Sequence, residues 1–285
     1  MNRRPSCGSA GRAFTLVELM AVIAVVTILL SLLVPTVTAA RRAAYRVVSA
    51  GNQRSLGQGV IMFAGGNRGK IPPSRVLDEF PLDLSELMRV YVPPIELGDN
   101  GGFSGKFAHN SLTPGERYMA QLQLGNTDFG WDGLGHLFRG NFISEPKVFY
   151  SPAHSGDHQY EDIKDQWMHP DSGRLPEQTI YSNFHYVGDR DEFGRDIKLD
   201  RNPERVIIAD GLRTCQDMNH NDGLNLLWAD NSVHWFSCPA LFKHLSIMPR
   251  GADQPPKRKQ NDIIRSIFNG TLVEQLNKYQ FDPNT

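Results

Sequence analysis

Residues Phe14 to Val37, FTLVELMAVIAVVTILLSLLVPTV, constrain this chain more than any other stretch. After Glu18 no charged side chain occurs until Arg41, leaving a run of about 22 residues that reads as one apolar helix. At 1.5 Å per residue such a helix is roughly 30 Å long, the thickness of the hydrocarbon layer of a bilayer. Glu18 is the anomaly, because a carboxylate within a membrane-length segment is costly and by default marks a functional position with a partner to be named. The natural partner is a free amine, and cutting the chain before Phe14 would create one about a helical turn away, on this chain or on a packed neighbour.

The residues Ala13-Phe14-Thr15-Leu16-Val17-Glu18-Leu19 resemble the processing and methylation motif of type IV pilins and type II secretion pseudopilins. With Phe14 as the first mature residue, Glu18 falls fifth, where that family keeps its glutamate, and Pro35 falls twenty-second, where many members have a helix-kinking proline. The family usually has Gly before the scissile bond; here Ala13 stands there. The resemblance implies cleavage between Ala13 and Phe14 by a prepilin peptidase, N-methylation of Phe14, and a register-setting role for Glu18 during assembly with other pilin-like subunits. Two other readings of the same residues are an uncleaved anchor and a removed signal peptide ending near Ala39 or Ala40, although a signal peptide has a shorter apolar core.

The chain has 285 residues and a formal net charge of −1. Removing residues 1–13 takes away Arg3, Arg4 and Arg12 and no acid, giving −4, so nothing suggests a nucleic-acid partner. Those arginines ahead of the apolar run favour a cytoplasmic N-terminus, which Arg41, Arg42 and Arg46 behind it oppose. The expected location is a single-pass inner (cytoplasmic) membrane protein whose head is periplasmic or extracellular. Three domains are expected: a leader over 1–13, a long helix over 14–63 that spans the membrane over about 14–37, and an extracytoplasmic head over 64–285.

Helix formers continue to Phe63, with Leu56, Val60 and Phe63 forming a stripe, and the glycines and prolines from Gly65 to Pro73 end the helix. The stretch Asn52 to Gln58, with Gly69-Lys70-Ile71-Pro72-Pro73, is similar to the opening of the head in a bacterial group of prepilin-like proteins described by an H-X9-DG motif. His220 and Asp230 match its spacing, and Asn231 departs from its final Gly. The expected fold is α+β, a long N-terminal helix packed on an antiparallel sheet with long loops. Strands are expected at Arg205–Asp210 and Ser182–Gly188, and a hairpin over 223–236 with Asp230-Asn231 in its corner. Lys147 to Pro152 resembles the strand-then-CPS element of the group, Leu84–Val92 reads as a short helix, Trp131–Phe138 as a turn feeding another, and 262–268 as a tail helix.

Candidate chemistry is sparse. Asp217, Asn219, Asn221 and Asp222 space oxygen ligands like the start of a calcium loop, but the Gly comes one place late and no Glu closes it. Asp189, Asp191 and Asp196 form a second acidic loop, and calcium in the head has precedent among pseudopilins. No other cofactor is expected. His154 and His158 are four apart, yet Gly156 favours a loop over a zinc-binding helix. His220 has no nucleophile signature beside it, so no enzyme is expected; the favoured reading is that His220 and Asp230 pin the hairpin. Cys7 lies in the leader, and Cys215 with Cys238 make either a disulfide or two buried thiols. A rival function is a membrane-anchored extracytoplasmic binding module that enters no filament.

Overall fold

The computed structural model of the chain describes residues 15–74, 88–91, 130–154, 156, 158–168, 176, 179–190, 195–201, 203–212, 218–239 and 263–271. It divides into two compact units, Met1–Ala44 and Tyr45–Thr285.

The described part of the first unit is the opening of helix α1, Leu16–Gly66, whose residues before Ala44 are exposed throughout. The helix continues across Pro35 without a break. Its hydroxyl side chains are satisfied within it. Thr27 Oγ1 donates to the carbonyls of Ile23 and Ala24, both at 2.8 Å. Ser31 Oγ reaches Ile28 O at 2.7 Å, Thr36 Oγ1 reaches Leu33 O at 2.8 Å, and Thr38 Oγ1 reaches Val34 O at 2.8 Å. Such back-bonding leaves none of these four hydroxyls without an acceptor, as an apolar surrounding would demand.

In the second unit α1 buries one face, formed by Ser49, Gln53, Leu56, Gly57, Gly59, Val60 and Ala64. The spacing is that of a single helical stripe. It ends where Gly69 N donates to Ala64 O at 2.9 Å, with Arg68 and Gly69 at positive φ. The main sheet is antiparallel, in the order β3 (Phe184–Tyr186), β4 (Val206–Asp210), β5 (Gly223–Trp228) and β6 (Val233–Ser237). β4 is buried along its whole length, as its run of Val, Ile, Ile and Ala requires. β5 and β6 pair from Gly223 with Ser237 to Leu227 with Val233. A second, two-stranded sheet joins β1 (Arg89–Tyr91) to β2 (Ile180–Tyr181).

Two glycines let α1 approach its neighbours. A Cβ on Gly57 would strike Asn231 Oδ1 and lie 2.9 Å from Leu227 Cδ2; one on Gly59 would lie 3.1 Å from Ile143 and 3.2 Å from Leu137. Leu137 belongs to α2, Gly135–Arg139, the short helix expected after Trp131. Trp131, Phe138, Trp167 and Phe149 extend the core, with ring centroids 4.7–5.2 Å apart between successive members. Within this core Arg89 donates to Asp132 Oδ2 from Nε at 3.1 Å and from Nη2 at 2.8 Å. The helix over 263–268 also packs there through Ile263, Ile264, Ile267 and Phe268.

Two expected elements differ. Lys147–Phe149 is not a strand: Pro146–Phe149 is a 3-10 helix, begun by Pro146 and by Glu145, whose carboxylate accepts from Lys147 N at 3.2 Å. In the stretch read as a helix from Leu84, Arg89–Tyr91 is a strand, while Leu84–Leu87 and Val92 lie outside the described residues.

Candidate functional site

At the start of α1, Thr15 and Glu18 form a capping box. Thr15 N donates to Glu18 Oε2 at 2.9 Å, Thr15 Oγ1 donates to the same oxygen at 2.8 Å, and Glu18 N donates to Thr15 Oγ1 at 3.2 Å. The arrangement satisfies orphan amides of the first turn and fixes the carboxylate at the helix mouth. Ala13 and Phe14 lie outside the described residues. Pro35 falls inside the exposed apolar part of α1, among the residues long and apolar enough to cross a membrane.

The head holds a polar cluster that sequence reasoning missed. Asp210, at the end of β4, is 1% exposed. Its Oδ1 accepts from Ser49 Oγ at 3.1 Å, Gln53 Nε2 at 3.2 Å and Asn219 Nδ2 at 3.0 Å, and its Oδ2 accepts from Asn225 N at 2.6 Å. Four donors to one buried carboxylate offset much of its desolvation. Two come from α1, one from Asn219 ahead of β5 and one from Asn225 within it, so the charge ties helix to sheet. Gln53 Nε2 also reaches Asn225 O at 3.2 Å, and Asn225 Nδ2 reaches Arg46 O at 3.3 Å.

His220 lies beside this cluster. Its Nε2 is 3.5 Å from Asp210 Oδ2, and with no hydrogen-bond geometry it makes none. Its ring packs edge-on against Trp235 at 5.2 Å, and the Arg46 guanidinium sits 4.2 Å over the same indole while pairing with Asp222. Burial holds the His220 pKa below its usual value; Asp210 pulls it up, Arg46 adds to the depression and Asp222 opposes it, with burial prevailing. The ring is therefore neutral at neutral pH.

His220 and Asp230 are expected to pin the hairpin; Asp230 bonds at its corner, whereas His220 Nε2 makes no hydrogen bond. Asp230 is exposed and accepts from Ser232 N at 2.8 Å, so it shapes the hairpin corner without His220. Asn231 N donates to Trp228 O at 3.0 Å, Trp228 N donates to Ser232 O at 2.9 Å, and Asn231 has φ 67°. This is a turn closed by a residue in the left-handed region, which explains Asn where the motif has Gly.

Of the oxygen ligands proposed from 217–222, Asn219 and Asp222 are engaged elsewhere. Asn219 Nδ2 serves Asp210 and, at 2.8 Å, Asn183 O; its Oδ1 faces His154 Nδ1 at 3.2 Å; Asp222 is taken by Arg46; Asn221 is exposed; and Asp217 lies outside the described residues. Asp189 accepts from Ser74 N at 3.1 Å and Asp196 pairs with Lys70 at 2.6 Å, while Asp191 is not among the described residues. Among the described residues no three His, Cys, Asp or Glu side chains gather as metal ligands. His158 stacks near Tyr181 at 4.6 Å, with φ 64°, in a loop. Cys238 is buried, and Cys215 lies outside the described residues, so their pairing does too.

Comparison with protein-family models, curated proteins and solved structures gives no match at any of the three levels.

Proposed function

We propose that this chain is a pilin-like structural subunit, inserted through its apolar helix, cut by a prepilin peptidase between Ala13 and Phe14, methylated on the new Phe14 amine and assembled with other such subunits into a pilus or secretion pseudopilus. The observation that carries the reading is a carboxylate, Glu18, held by Thr15 at the mouth of a helix whose apolar residues are exposed from Leu16 to Val37. An exposed helix of this kind loses no hydrophobic contact on leaving lipid for other helices and gains packing. Glu18 then neutralises an N-terminal amine and sets the stagger, because a wrong register leaves a charge unpaired in a dry core. The leader is cytoplasmic and the head lies across the inner membrane in this reading.

The test is the N-terminus of the protein from its native membrane, by intact mass and terminal sequencing. A chain beginning at N-methylated Phe14 supports the proposal; one beginning at Met1, or after Ala39 or Ala40, overturns it. Glu18→Ala is expected to leave cleavage intact and to impair filament assembly, scored by the filament content of sheared cell surfaces.

A second reading, an anchored binding module outside any filament, draws on a cleft of about 500 Å³ lined by Phe63, Asn67, Lys70, His136, Arg139 and Phe142. That volume suits a small ligand. A monomeric membrane protein with ligand affinity would favour it.

A further inference from the structure

From Leu19 to Leu77 the chain contains no Asp or Glu, while Arg41 and Arg42 stand directly behind the apolar segment. Both arginines are exposed on the continuous helix α1, and among the described residues neither has an ion-pair partner. On the helix surface the residues three and four places before them are Val37, Thr38 and Ala39, all exposed and none of them charged. A helix rises 1.5 Å per residue, which sets Arg41 about 6 Å beyond Val37 along the axis, the depth of a phosphate layer when the apolar segment fills the hydrocarbon.

We infer that Arg41 and Arg42 form a binding site for the phosphates of anionic phospholipid headgroups at the C-terminal end of the span. The inference rests on the membrane-spanning part of the reading above and not on cleavage or assembly. A guanidinium matches a phosphate by paired donors and keeps its charge at any physiological pH, so an arginine pair suits this ligand better than lysines would. The same pair opposes the orientation that Arg3, Arg4 and Arg12 favour. The pair then acts as a depth stop for the helix.

The full chain is reconstituted in nanodiscs of equal parts phosphatidylcholine and phosphatidylglycerol, and the lipids retained on ejection are counted by native mass spectrometry. Flotation with vesicles of the same composition is checked first. The wild type is expected to retain phosphatidylglycerol in preference to phosphatidylcholine, by about fivefold for each arginine at low salt. Arg41→Gln with Arg42→Gln removes most of that preference while flotation is unchanged, and Lys at both positions restores part of it. A preference that survives the double substitution, or that disappears only when Arg3, Arg4 and Arg12 are replaced, overturns the site. A chain that fails to float overturns the span and the lipid site together; one that floats without lipid preference overturns the site alone.

Discussion

Asp210 is a charge that the interior tolerates only because four donors converge on it. Asp210→Ala leaves those donors facing each other without water, and a loss of about 3 kcal/mol is expected, read from urea unfolding of the full chain in detergent. His220 supplies a pH dependence. Its folded pKa lies below the ordinary value of 6.5, so the unfolded chain takes up its proton first as pH falls. The contribution of neutral His220 is thus complete above about pH 6.5 and declines below it. The midpoint of thermal unfolding should fall between pH 7.5 and 5.5 in the wild type by more than in His220→Gln. Little of this was legible in the sequence. Ser49, Gln53, Asp210, Asn219 and Asn225 are scattered over the chain, and each reads locally as a helix, strand or turn residue. His220 was matched to Asp230 by motif spacing, whereas strand pairing brings Asp210 to its side.

At the scale of elements, the long helix and the β5–β6 hairpin were legible because each carries its own period: an unbroken apolar run, and alternation about an Asp-Asn corner. Arg89–Tyr91 and Pro146–Phe149 were not, since three or four residues carry no period; capping by Glu145 and pairing with β2 decide them. The seat of α1 on the hairpin is specific to a glycine. Gly57→Val should cost about 2–3 kcal/mol by forcing Asn231 and Leu227 aside. Asn231→Gly, which keeps the left-handed corner and removes the struck amide, should cost under about 1 kcal/mol alone and recover part of the Gly57→Val loss. A double-mutant cycle on chemical unfolding measures that coupling, and additive losses would contradict the close approach.

For the molecule as a whole, the two units differ in what holds them. Among the described residues the buried hydrophobic side chains lie between Leu56 and Phe268, all in the unit that begins at Tyr45. A fragment starting at Tyr45 should therefore unfold cooperatively in aqueous buffer without detergent, as followed by near-ultraviolet circular dichroism; a non-cooperative melt would show that the head needs the preceding helix. The preceding helix has another character. Thr27, Ser31, Thr36 and Thr38 have already given their hydroxyls to carbonyls of their own backbone. To anything beside it, that stretch presents methyl and methylene groups and nothing that names a partner. Its surroundings can be exchanged without breaking one hydrogen bond, so instructions about depth, direction and company have to be written at its two ends.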